Sequence, residues 1–225
     1  MILSELIRRF RVAAFDNEQP YLFADQDITD WLNDAVKEAA IRGRLIHDST
    51  TDGVCTIATV PNVSIYALHE SMYEIDSICW VNDDLQTRTV DALSLISQED
   101  MSDIWHDWRT RDNGTPEYAI QHDTNIRLVP APNVAGEIAL EGYRTPLVPM
   151  VLDTDRPEIN IIHHEYLIQW ALHKGFGIPD SEVFDMNRSA LAEQEFTDYF
   201  GQRPDSDLRR ITREDVPHVV KPFWV

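Results

Sequence analysis

Two cysteines, Cys55 and Cys79, are all that the 225-residue chain contains. They form no CxxC pair, so neither a disulfide framework nor a cysteine-built zinc site is indicated, and both sit in apolar runs as small core residues. Glycine is nearly as scarce: the eight glycines form no phosphate-cradling loop, and no serine lies in a GxSxG context. No run of roughly 18 apolar residues could span a membrane, and the opening residues Met1 to Phe10 lack a secretory signal's apolar stretch, so a cytoplasmic place of synthesis is expected. Basic residues are heavily outnumbered, 19 against 39 acidic ones, for a formal charge of −20. A surface this acidic repels phosphates and argues against a sequence-reading DNA binder, while it suits a wall past which DNA slides without sticking.

What remains is an ordinary globular mixture, 43% apolar and 26% charged, without internal repeats. A chain of this length buries roughly 70% of its extended surface, enough for one sizeable domain or two small ones. Near the start, Leu3, Leu6, Ile7, Phe10 and Ala14 recur at helical spacing opposite Arg8, Arg9 and Arg11. A second helix carries Ile28, Trp31, Leu32, Ala35, Val36, Ala39 and Ala40 after candidate caps Asp25 and Asp27, and should end near Gly43.

From about residue 50 the pattern turns to short strand-like runs: 54–59, 63–68, 73–81, 86–90, 117–121, 125–129 and 137–143, separated by turn formers. Between them Met101, Ile104, Trp105 and Trp108 lie at helical spacing within 97–109. After Pro157 the helical period returns through Ile162, Tyr166, Leu167, Trp170, Ala171 and Phe176, breaks at Gly175 to Pro179, and resumes from candidate caps Asp180 and Ser181. The last stripe is Val183, Met186, Ala190, Leu191, Phe196, Tyr199 and Phe200. The expected fold is α+β: a helical bundle from residues 1–48 and 157–202, an inserted antiparallel β-sandwich or open barrel over 49–156, and an extended C-terminal arm over 203–225.

The arm differs from everything before it. Arg203, Arg209, Arg210, Arg213 and Lys221 outnumber Asp205, Asp207, Glu214 and Asp215, three prolines interrupt it, and it ends in Val219, Val220, Lys221, Pro222, Phe223, Trp224 and Val225. Prolines and sparse apolar residues cannot build a packed element, yet an aromatic terminus in water is a liability, so the segment reads as an arm that orders on a partner. Trp31, Trp80, Trp105, Trp108 and Trp170 fall on expected buried faces, whereas Trp224 has no core of its own to join and reads as an anchor.

Chemistry-bearing groupings are weak. His163, His164, Glu165 and His173 fail the HExxH spacing, because Ile168 stands four residues after His164. The acidic pairs Asp83 with Asp84, Glu99 with Asp100, and Asp153 with Asp155 lie in turns or helix starts, where carboxylates cap amides. No catalytic residue, metal ligand or cofactor is therefore expected. A carbohydrate- or protein-binding sandwich on a helical stalk would need Tyr66, Tyr73, Trp80 and Tyr118 to project into solvent.

The layout resembles the head-to-tail adaptor, or connector, proteins of tailed bacteriophages. The resemblance is carried in order by the helix Asp27 to Ala35, the strand region Val60-Pro61 to Val81, the run Ile126 to Pro132, Gly136, the strand ending Tyr143-Arg144-Thr145-Pro146, the closing helical pair and the basic tail. It implies a non-enzymatic subunit of a ring, twelve-fold in this family, in the virion neck. The portal lies above that ring and a tail or nozzle component below, with viral DNA as a passing, non-specific contact. It also implies that the arm inserts between portal subunits, with Arg209, Arg210, Arg213, Val219, Val220, Pro222, Phe223, Trp224 and Val225 as portal-binding residues. The β insertion departs from the smallest, almost wholly helical adaptors and is closer to the larger ones of short-tailed phages.

Overall fold

A computed structural model describes residues 1–82, 89–179 and 182–204, and within them the chain is a mixture of five helices and two sheets. It divides into two compact units, one made of Met1–Ile46 with Arg144–Arg203, the other containing His47–Tyr143.

In the first unit, α1 (Leu3–Ala14) buries Leu3, Leu6, Phe10 and Ala14, a stripe at the helical period. Its first amides have no side-chain cap. The carbonyls of Asp155 and Asp153 accept from Leu3 and Ser4 instead, at 2.8 and 3.1 Å. Helix α2 (Asp25–Gly43) buries Ile28, Leu32, Ala35, Val36, Ala39 and Ala40. Asp25 and Asp27 are not its caps: Ala24 holds that position without a side-chain bond, and the two acids occupy the first turn, where they favour the positive end of the helix dipole. The left-handed stop falls on Arg44 (φ 49°), one residue beyond the expected glycine.

A 3-10 turn at Ile161–His163 precedes α4 (Leu167–Phe176), and α5 (Met186–Phe200) follows. Helix α5 starts later than the expected caps, which lie outside the described residues. Asp185 caps it, accepting from the amides of Asn187 and Arg188 at 3.0 and 3.1 Å. Its buried stripe is Ser189, Ala192, Phe196 and Phe200. Met186, Ala190, Leu191 and Tyr199, expected to face inward, are exposed, because the buried stripe runs through Ser189 and Ala192 and these four lie to either side of it.

The four helices share one apolar core. Phe10, Phe23, Trp31 and Phe176 meet there through edge-on and tilted ring contacts 5.4–6.0 Å apart. Both α1 and α5 pack against α2 and α4.

In the second unit, β1 (His47–Asp48) and β2 (Thr56–Thr59) pair in succession along β9 (Gly136–Arg144), whose other neighbour is β4 (Met72–Asn82), itself paired with β5 (Val90–Ala92). The second sheet runs β3 (Ile65–Ala67), β8 (Asn125–Val129), β7 (Tyr118–Gln121) and β6 (Ser94–Leu95), antiparallel except for the β6–β7 pair. Among the described residues the strands form two sheets that do not close into a barrel. Residues of both sheets, among them Tyr66, Ile75, Trp80, Leu128 and Ile138, belong to one buried cluster.

Two glycines of β9 make its pairing with β4 possible. A Cβ at Gly142 would run into the Glu74 carbonyl oxygen, and one at Gly136 into that of Val81. Helix α3 (Gln98–Ile104) starts at Ser97, whose hydroxyl accepts from the Asp100 amide at 3.0 Å. Met101 and Trp108 are buried with Ile120 and Val129, while Ile104 faces out.

Candidate functional site

The histidine group resolves into three separate structural roles. His164 is buried, with Nε2 3.0 Å from the Ile159 carbonyl and Nδ1 2.9 Å from the Met1 amino group. Burial holds its pKa below the usual imidazole value, and the nearby amino group adds to that. His163 faces the Tyr199 hydroxyl at 3.1 Å and is also shifted down by burial, while His173 meets Ser189 on α5. Glu165 pairs with Arg9 at 3.2 Å. Among the described residues no group of three His, Cys, Asp or Glu side chains could hold a metal ion.

The acidic pairs that are described sit in local turns or a helix start. Glu99 and Asp100 stand in the first turn of α3, and Asp155 accepts from the amides of Val151 and Leu152 at 2.8 and 2.7 Å, bonds that pull its pKa down. Asp83 and Asp84 lie outside the described residues. The aromatic shelf that a ligand-binding sandwich would need is not assembled. Tyr66 is buried with its hydroxyl donating to the Val63 carbonyl at 2.7 Å, Trp80 is buried with Nε1 donating to Thr59 Oγ1 at 3.2 Å, and Tyr118 packs edge-on against Trp105.

The residues assigned to portal contact, Arg209, Arg210, Arg213, Val219, Val220, Pro222, Phe223, Trp224 and Val225, all lie outside the described residues. The features the described structure does offer are outward apolar faces on the helical unit. Val148, Val151 and Leu152 stand exposed on a loop that is pinned from below: Asn33 Oδ1 accepts from the Met150 amide at 2.8 Å, and Asn33 Nδ2 donates to its carbonyl at 3.0 Å. A loop backbone fixed in this way loses little freedom on docking.

A second face belongs to α1. Arg8 and Val12 lie on its outer side and Phe15 is its left-handed cap (φ 62°); Val12 is 51% exposed and Phe15 81%. Arg8 and Val12 border a groove of about 390 Å³ lined also by Arg9, Ala13, Glu165 and Ile168. The sequence pattern assigned the arginines to this outer side but gave no weight to the apolar pair beside them, although positions 8 and 12 carry the same period as the buried stripe. No helix among the described residues is long and apolar enough to cross a membrane.

No curated protein matches the chain. A family model does, over residues 1–220, and it is described as SU10 adaptor protein. The match takes in both units, so this chain belongs to the SU10 adaptor protein family, a family of phage head-to-tail adaptors.

Proposed function

We propose that the chain is a non-catalytic building block of the phage neck, assembled as a ring between portal and tail through which DNA passes. The observation that carries this reading is the extent of the family match, residues 1–220, which is nearly the whole chain rather than one motif. Four helices around one core are read as a bundle that packs side by side with its copies, and the two sheets with their common buried cluster as an inserted sandwich. A heterologous ring joins two different patches at each contact and leaves no free end on closure.

Three properties support the assignment. The helical unit carries several exposed aliphatic side chains, including Val148, Val151, Leu152, Ile161 and Ile162, as an assembling subunit needs. A formal charge of −20 keeps a channel wall from adhering to the genome. The tail from Arg203 to Val225 reads as a portal-binding arm, and many weak arms on one ring bind together with an avidity none has alone.

Co-sedimentation with portal rings tests the reading. The full chain is expected to join portal, whereas a chain lacking residues 203–225 stays folded and does not. Equal co-assembly of the truncated chain removes the arm's role, and micrographs placing the protein away from the capsid vertex remove the neck assignment altogether.

A further inference from the structure

We propose that adjacent copies of this chain join by laying the outer face of α1 from one copy against the outer face of α5 from the next; the proposal rests on the ring reading above and assigns the two surfaces that make it. The two helices occupy different sides of the helical unit. Each packs against α2 and α4, and the long Arg188 side chain of α5 reaches the Ala13 carbonyl at 3.1 Å and approaches the Phe15 ring. Faces so separated on one rigid unit can engage two different neighbours, which is the requirement of a heterologous contact.

Their chemistry is complementary. Helix α1 carries Arg8, Arg9 and Arg11 against the single acid Glu5, on a chain whose overall charge is −20. Arg11 is spent inside the unit and Arg9 pairs with Glu5 and Glu165, but Arg8 makes no ion pair among the described residues and stands exposed. On the outer face of α5, Glu195 and Asp198 are exposed and likewise make no ion pair among the described residues. The apolar residues beside these charges match as well: Val12 on α1 with Phe15 at its cap, and Leu191 (58% exposed) on α5.

The order along each helix fixes the direction. On α1 the basic residue comes first and the apolar ones follow; on α5 the apolar residue comes first and the acids follow. Antiparallel alignment therefore brings Arg8 to Asp198 and Glu195 and the C-terminal end of α1, with its cap Phe15, to Leu191. Arg8 to Ala14, the last residue of α1, and Leu191 to Asp198 are similar spans of about 10 Å at 1.5 Å per residue. Charged rims of this kind set register and partner choice, and the aromatic at the apolar end supplies the anchor.

Charge reversal with mixing tests the contact. Arg8→Glu and Asp198→Arg are surface changes that should leave melting curves unaltered, and each alone should raise the concentration needed for self-association about tenfold, by sedimentation with or without portal rings. Mixed together the two variants should assemble again, alternating around the ring, because each reversed face then meets its complement. Phe15→Ala should weaken assembly in a way that mixing does not rescue. If the wild-type chain forms no closed oligomer under either condition, the ring reading falls and the proposal with it. If wild type assembles and both reversals assemble equally well, the ring stands and this contact is overturned. If the variants self-associate normally but lose portal, α1 serves another protein, which also overturns it.

Discussion

The guanidinium of Arg11 and the carboxylate of Asp16 form an ion pair inside the helical unit, with side-chain exposures of 9% and 1%. The pair locks the exit of α1 to the entry of α2. Asp16 also accepts from the Leu22 and Phe23 amides, and Arg11 donates to the Phe23 carbonyl and to Asp25. Three guanidinium N–H groups and both carboxylate oxygens find partners, as a desolvated charge pair demands.

Asp16→Ala is expected to destabilise the chain by about 3 kcal/mol, because it removes the buried counter-charge of Arg11, leaving only the exposed Asp25, and frees two amides at once. Denaturant titration should move to a lower midpoint with an unchanged slope. A shift below about 0.5 kcal/mol would mean the pair is solvated and contributes as little as a surface bridge.

Acid should loosen the same unit through His164. Its folded pKa lies below the unfolded value, so at pH under about 6.5 the unfolded chain takes up a proton that the folded chain refuses. Stability is therefore full above that pH and falls as the pH drops through it. His163 has the same sign. Melting temperatures from pH 8 to pH 5 should decline in wild type and decline less in His164→Gln. Parallel curves for the two proteins would remove His164 as the cause.

Periodicity made the helical half legible. Leu3, Leu6, Phe10 and Ala14, and Ile28 through Ala40, were enough to place α1 and α2, because a buried helical stripe repeats over several turns. Short elements carried no such redundancy: β1 and β6, two residues each, have no pattern to read. Arg11 was misplaced on the solvent side for a different reason, since its burial depends on Asp16 and Asp25, which pattern alone does not bring to it. Leu191 and Met186 failed in the opposite sense. Hydropathy assigns them to a core, and a surface that awaits a neighbour carries the same residues as a core that already has one.

Gly142→Ala should be markedly worse than Gly53→Ala. At Gly142 the new methyl meets the Glu74 carbonyl oxygen, and backbone cannot swing aside as a side chain can, so a loss of about 3 kcal/mol is expected. Gly53 has a positive φ of 72° but open space around it, which limits the loss to about 1–2 kcal/mol. Thermal melts of the two variants rank them, and the reverse order would mean that β4 and β9 are not in close register.

Within the proposed portal-binding arm, Trp224→Ala is expected to weaken docking more than Arg209→Ala. A terminal indole that leaves water for a partner's pocket removes a large apolar area on binding, and truncating it forfeits that area together with the packing around it. An arginine at the rim of the same contact keeps much of its hydration, so its loss alters the salt dependence and the rate of encounter more than the strength of the complex. Pull-down by portal at two salt concentrations separates the two effects. Arg209→Ala should recover most of its binding difference at high salt, where wild type loses the same attraction, whereas Trp224→Ala should stay weak at both. Equal losses for the two variants at low salt would place the arm's hold on charge instead of on the ring.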